Sequence, residues 1–413
     1  MLNTPFSPWP SFSQQEAEAV SRVLLSNKVN YWTGTECREF EREFAAWTQS
    51  RHAVALANGT LALDAALHAL NVGPGDEVIV TPRTFLASVS SIVNAGARPV
   101  FADVDLESQN ITAETIAAVL TARTRAIVCV HLAGWPCDMD PIMALAERHG
   151  IYVIEDCAQA HGAEYKGRPV GSIGHISAWS FCQDKIMTTG GEGGMITTND
   201  DRWWSAVWSF KDHGKSWDAV YKREHPPGFR WVHDSFGTNA RMLEIQAVIG
   251  RLQLQQMASW TQQRQANAAQ LNAVAARHDV VRVPRPPEYV RHAAYKHYLF
   301  VRPERLAPGW SRDRILATVN AAGVPCYQGS CSEVYLERAF DGSDMRPAQP
   351  LPNARELGET SLMFLVHPTL TAQEMTHAAT VLDEVLGQAS RQPACAKPEL
   401  CVSTQMESGN SAC

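Results

Sequence analysis

The chain has 413 residues, 45% hydrophobic and 19% charged. At roughly 150 residues per domain, that length predicts two to three domains with a large buried core, and the composition excludes wholesale disorder, collagen-like repeats and a long coiled coil. The 36 basic and 43 acidic residues leave a net charge of −7 with no long run of either sign, which argues against a nucleic-acid footprint or a polybasic membrane surface and for small ligands.

The opening MLNTPFSPWPSF lacks a basic segment followed by an apolar stretch, and no window approaches 18 uninterrupted apolar residues. A cytoplasmic protein is expected. Ala17, Val20, Val23 and Leu24 recur at helical spacing and predict a helix from Gln14 to Ser26; Phe40, Phe44 and Trp47 predict another from Glu36 to Trp47. The apolar run Ala53 to Ala57, the turn Asn58-Gly59-Thr60 and a helix from Leu61 to Leu70 read as strand, tight turn, helix. The alternation continues with strands at Val78 to Thr81, Pro99 to Ala102, Ala126 to His131 and Ile151 to Ile154. Helices at Leu86 to Asn94, Ala113 to Leu120 and Pro141 to His149 separate them. Short apolar strands between helices predict an α/β fold with a mostly parallel sheet covered on both faces. Ligands of such sheets bind at the carboxyl ends of the strands, so Asn58 to Thr60, Pro82 to Phe85, His131 to Gly134 and Asp156 to His161 are expected on one rim.

A second regime begins near Arg241, where Leu243, Ala247, Gly250 and Leu254 predict one long helix, with Gly250 as a possible kink. Strands at Tyr298 to Val301 and Val324 to Tyr327 and a helix from Ala372 to Leu386 complete a smaller α+β unit. The expected division is a large domain over 1–250, a small C-terminal domain over 251–388 and an aperiodic tail over 389–413, read as disordered. Of ten cysteines, seven are scattered through the body without a C-x-x-C pair and read as reduced core filler; Cys395, Cys401 and Cys413 lie in the tail. No metal site is assigned.

The densest chemistry lies between Ile154 and Gly194. A strand-end carboxylate (Asp156), a hydroxyl (Ser180) and a lysine (Lys185) followed by Gly190-Gly191-Glu192-Gly193-Gly194 suit a phosphorylated aromatic cation such as pyridoxal phosphate. A free lysine at its ordinary pKa is neutral about once in 2,500 at pH 7, so a Schiff-base lysine needs a special site. Each residue alone has a plain reading: a solvated loop lysine, a helix-capping aspartate.

Their joint occurrence resembles the sugar aminotransferases of the DegT/DnrJ/EryC1/StrS family, a branch of the fold type I pyridoxal-phosphate enzymes. The resemblance runs from about residue 6 to 388 and includes Asn58-Gly59-Thr60, Gly73-Pro74-Gly75-Asp76-Glu77-Val78, Thr84-Phe85, Glu155 through Gly162, Ser180-Phe181, Lys185, Gly191 to Gly194, Asp212-His213-Gly214 and Gly237 to Met242. It implies an aspartate-aminotransferase-like large domain and a catalytic Lys185 that forms the Schiff base and shuttles the proton. Asp156 would keep the pyridine nitrogen protonated; at about 4 Å and an effective dielectric of about 20 such a pair gains roughly 4 kcal/mol. Gln159 and Phe85 would lie against the cofactor ring. Gly59, Thr60 and Ser180 would hold its phosphate, joined by Asn239 from the partner subunit of a homodimer.

The resemblance implies transfer of an amino group from L-glutamate or glutamine to a nucleotide-linked deoxysugar ketone, for polysaccharide (such as lipopolysaccharide O-antigen) or natural-product sugars. A non-nucleotide keto substrate (a cyclitol or an aminobenzoate precursor) and a non-catalytic sugar-sensing relative are the alternatives. Family dehydratases carry His in place of the lysine, and Lys185 is retained. A nucleotide-binding dehydrogenase is disfavoured because no complete G-x-G-x-x-G or G-x-x-x-x-G-K-[ST] motif occurs. Arg83, where relatives often have a small or aromatic residue, reads as an anion partner or a surface cover and is left outside the site. The Trp203, Trp204, Trp208 and Trp217 cluster reads as packing or as a substrate-shaping surface.

Overall fold

Six strands of the central seven-stranded sheet run the same way. The order is His52–Leu56, Gly194–Thr198, Ile176–Ser180, Tyr152–Asp156, Thr124–Val130, Glu77–Val80, Arg98–Phe101, with only Gly194–Thr198 antiparallel to its neighbours. The computed structural model describes residues 6–390. Alternate residues serve opposite faces, which is why these strands read as continuous apolar runs. Val78, Val80, Val128 and Ile154 pack on one face with Ala62, Ala66 and Leu67 of the helix Gly59–Ala69. Ile79, Ile127, Cys129 and Val153 face the other, against Ile142 and Ala146 of the helix Met139–His149.

Two strands of this sheet escaped the sequence reading, Ile176–Ser180 and Gly194–Thr198. Both carry buried hydroxyls that interrupt an apolar pattern; Ser177 and Thr197 bond each other across the pair and both accept from Trp179 Nε1 at 3.1 Å.

The expected long helix near Arg241 is two helices, Glu244–Leu254 and Met257–Ala275, separated at Gln255 and Gln256. Gly250 does not kink the first. A Cβ there would lie 2.6 Å from Phe40 Cζ, so the glycine admits a buried ring. The second helix carries the chain to a four-stranded antiparallel sheet, ordered Val281–Arg282, His297–Val301, Ser361–Phe364, Cys326–Tyr327. Leu299, Leu362 and Phe364 form a second core with Leu271, Val274 and the last helix, Ala372–Ala389. That helix reaches Ala389, the first residue of the expected tail, which is fully buried in this core; Cys395, Cys401 and Cys413 lie outside the described residues.

The N-terminal segment touches both cores. Ser7 Oγ donates to Glu374 Oε1 at 3.0 Å on the last helix, and Trp9 Nε1 donates to the carbonyl of Lys185 at 2.8 Å. Trp9 also packs edge-on against Trp260. All seven body cysteines are free, five of them buried. Among the described residues no helix is long and apolar enough to cross a membrane.

Candidate active site

A cavity of about 960 Å³ opens where the carboxyl ends of the sheet strands meet the second core, lined from the first core by Asn58 to Leu61, Thr84 to Ser88, Asp156, Gln159, Ser180 and Lys185. Asn58 caps the helix Gly59–Ala69, its Oδ1 accepting the N–H of Leu61 at 2.9 Å. The first-turn N–H groups of Gly59 and Thr60 belong to the positive end of the helix, where an anion is favoured. A Cβ on Gly59 would sit 2.6 Å from Ser180 Cβ, and one on Gly194 would sit 2.2 Å from the Asn58 carbonyl. Glycine is therefore required for this turn to close on the end of strand Ile176–Ser180.

Strand alternation separates two acidic neighbours. Asp156 turns to the cavity, where it accepts from Ser88 Oγ at 2.8 Å and from the Ala158 N–H at 3.1 Å. Burial raises its carboxyl above the usual range, and these bonds with Lys185 and His131 only partly offset the rise. Glu155 turns away and accepts from the N–H groups of Gly171, Ile173 and Gly174. Its Oε2 is 3.0 Å from His131 Nε2. His131, Glu155 and Cys157 bring ligand atoms within 4.8 Å of one another. His131 Nδ1 accepts the Cys137 N–H at 3.0 Å, which puts the proton on Nε2 and leaves no ring lone pair for a metal. The group is a structural brace behind the cavity.

Gln159 Oε1 accepts the N–H of Ala133 at 2.8 Å, orienting the carboxamide so that its NH₂ remains for the cavity. His131 to Gly134 thus backs the rim without lining it, and His161 is buried against Trp179 and Phe181, its pKa pushed down to about 3 by burial with Lys185 and Arg264 nearby. Phe85 lines the cavity with 71% of its surface exposed, a ring with one face uncovered.

Lys185 Nζ lies 3.9 Å from Asp184 Oδ1 and 5.3 Å from the centre of the Tyr295 ring. The Tyr295 hydroxyl donates to Asp184 at 2.5 Å. Burial pushes Asp184 up, but Lys185, this hydroxyl and Lys296 together hold it below its ordinary value. Tyr295, Lys296, Tyr298, Ser330, Cys331 and Met363 close the opposite wall. Burial pushes Lys296 down to about 8, against the pull of Asp184.

Seven of the eight expected site residues therefore meet in one cavity. The eighth, Asn239, is exposed and pairs through its backbone with Asp212, away from this cavity. It follows an exposed loop in which Phe229, Trp231 and Phe236 leave 71%, 75% and 98% of their surface uncovered. Sequence reading missed Ser88 and the second-core wall. The strand at Tyr298 to Val301 was visible, but nothing in its pattern says what it faces. Arg83 is not a surface cover, and among the described residues it has no ion-pair partner, being wholly buried among neutral acceptors. The four tryptophans do not line the cavity; Trp208 and Trp204 pack against Trp217 with ring centres 5.0 and 5.2 Å apart.

A mostly parallel sheet with one reversed strand, and a strand-end aspartate sharing its cavity with a lysine, define the architecture of the pyridoxal-phosphate-dependent aminotransferases. The aminotransferase from Psychrobacter cryohalolentis superposes with a TM-score of 0.92 at 62% identity, covering 93% of this chain and all of that one. A GDP-perosamine synthase of Escherichia coli O157:H7 is 42% identical over 251 residues, 60% of this chain and 65% of that protein. A dTDP-3-amino-3,4,6-trideoxy-alpha-D-glucose transaminase of Streptomyces venezuelae is 33% identical over 374 residues, 90% of this chain and 92% of that protein. The model of the DegT/DnrJ/EryC1/StrS aminotransferase family matches residues 10–383, and the chain belongs to that family.

Proposed function

We propose that this aminotransferase uses pyridoxal phosphate to move the amino group of L-glutamate, or glutamine, to a keto group of a nucleotide-linked deoxysugar, as a cytoplasmic homodimer. The carrying observation is that Lys185 and Asp156 line one cavity together with Gly59 and Thr60, the first turn of the helix Gly59–Ala69. The donor set fits the cofactor. A buried carboxylate raised by burial gains from a pyridinium N–H at its oxygen, and the helix start at Gly59 and Thr60 with Ser180 Oγ suits a phosphate.

When bound, the cofactor supplies an electron sink for the carbon that loses its proton. Asp156 would hold the proton on the ring nitrogen. Phe85 would cover a ring face, and the Gln159 NH₂, left free by the bond of its Oε1 to Ala133, would be available to the phenolic oxygen. Lys185 Nζ would hold the cofactor covalently and, when free, would serve as the base that moves the proton at the reacting carbon. Asn239 of the partner subunit would complete the phosphate cup, consistent with its distance from its own cavity and with the uncovered aromatic loop before it.

The nucleotide-sugar reading is supported by the names of two relatives that act on GDP- and dTDP-linked sugars. With a net charge of −7, anionic substrates must be held by local cations and N–H groups, of which Lys296 is one at the cavity wall.

The test is spectroscopic. Purified protein loaded with pyridoxal phosphate is expected to be yellow, to bleach with L-glutamate, and to recover its colour with a nucleotide-linked ketosugar as the aminated sugar forms. Protein that binds no pyridoxal phosphate, or Lys185→Ala protein that exchanges amino groups at the wild-type rate, would overturn the reading.

A further inference from the structure

Arg83 is 0% exposed, and its guanidinium meets only neutral acceptors. Nε donates to Gln109 Oε1 at 3.1 Å, Nη1 to Ser332 Oγ at 2.8 Å and to the Ser330 carbonyl at 3.4 Å, and Nη2 to Ser361 Oγ at 3.4 Å. Its carbon lies 5.5 Å from the centre of the Tyr298 ring. No carboxylate pairs with it among the described residues. Burying a cation without a counter-charge is costly, so a fork that persists in such a place must be over-determined by the groups it ties together.

Those groups come from separate parts of the chain. Ser330 and Tyr298 line the cavity on the wall facing Lys185, Ser332 and Ser361 stand behind that wall, and Gln109 belongs to the first core. Arg83 itself precedes Thr84 and Phe85, which line the cofactor side. Thr84 Oγ1 is 2.9 Å from Ser88 Oγ, which in turn bonds Asp156. One short loop thus touches the ring-nitrogen carboxylate, the ring face and the far wall, the last through the Arg83 side chain and through the Pro82 carbonyl, which accepts the Val334 N–H at 2.9 Å.

We infer that Arg83 is a positioning residue for the acceptor: it fixes the Ser330 to Ser332 segment and Tyr298 as the surface against which the keto substrate seats. This rests on the proposed function, since it requires a second substrate larger than glutamate that reaches this wall. Glutamate, reacting at Lys185, does not need the wall. The arginine therefore acts on one half-reaction only.

The experiment measures both half-reactions on the pyridoxal-phosphate-loaded dimer: bleaching by L-glutamate, and return of colour with a nucleotide-linked ketosugar. For Arg83→Met the acceptor KM is expected to rise about tenfold or more while the glutamate rate stays within about twofold, the signature of lost binding to one substrate. Arg83→Lys keeps the charge but not the fork and is expected to match Arg83→Met. Ser332→Ala, a milder change should the arginine variants fold poorly, is expected to shift the acceptor KM the same way by less. An unshifted acceptor KM, a parallel fall in both half-reactions, or wild-type behaviour of Arg83→Lys overturns the inference. Wild-type protein that aminates no nucleotide-linked ketosugar overturns the functional reading, and this inference with it; wild-type turnover with Arg83→Met unshifted overturns the inference alone.

Discussion

Ser88 donates its hydroxyl to Asp156 Oδ2 at 2.8 Å, from the same segment that presents Phe85 to the cavity. The side chain proposed to control the charge of the cofactor ring and the ring surface proposed to cover it are therefore fixed by one short stretch of chain. A hydrogen bond to a charged acceptor is worth about 1.5–3 kcal/mol. Ser88→Ala is expected to weaken cofactor retention roughly 10- to 100-fold and, by removing an influence that lowers the Asp156 pKa, to shift the acidic limb of the kcat profile to higher pH. Cofactor titration and a pH–rate series check both.

Asp156 also sets a pH dependence in the cofactor-free protein. Its folded pKa is raised by burial, so its contribution is fully present below the unfolded value near 3.9 and is lost as pH rises through the folded value. At neutral pH the ionised side chain costs stability. Asp156→Asn is expected to remove that cost, giving cofactor-free protein at least as stable as wild type at pH 7 to 8 in urea unfolding, yet with cofactor affinity sharply reduced. A variant markedly less stable than wild type under those conditions would contradict the assignment.

Gly59→Ala places a methyl group 2.6 Å from Ser180 Cβ. Such overpacking costs about 1–3 kcal/mol, and the displacement falls on the proposed phosphate donors. The expected result is a cofactor Kd raised roughly 5- to 100-fold with a smaller loss of cofactor-free stability, read from fluorescence titration and thermal melts.

The proposed sharing of sites between subunits can be tested by mixing two variants. Lys185→Ala and Asn239→Ala homodimers are each expected to be impaired, the first completely. Reassociated mixtures contain heterodimers in which one site has both native residues, so activity is expected to reappear. Mixtures no more active than the Asn239→Ala protein alone would show that Asn239 does not act across the interface.

The helices and parallel strands of the first half were legible because an apolar strand covered on both faces leaves few ways to read it; the helix Glu36–Trp47 was bounded to the residue. The motif residues of the cavity were equally visible, since short turns bring them to strand ends. Ile176–Ser180 and Gly194–Thr198 were hidden by Ser177 and Thr197, which satisfy each other inside the sheet. The Lys296, Tyr298 and Ser330 wall was hidden for a different reason. It meets Lys185 only by folding a distant segment back across the cavity, and local pattern carries no such distance. Arg83 read as an anion partner or a surface cover because its neutral partners, Gln109, Ser332 and Ser361, carry no charge signal in the sequence.

Trp9 holds the carbonyl of Lys185 through its indole N–H, while its ring rests on Trp260 and 4.9 Å from the Arg264 guanidinium carbon. The backbone of the lysine proposed to react is thereby fastened to the helix that enters the second core. This indole is also a built-in optical probe. Among the twelve tryptophans, its share of the emission is the difference between wild-type and Trp9→Phe protein, and that share should be quenched when the proposed cofactor joins Lys185 and change again as the lysine is released.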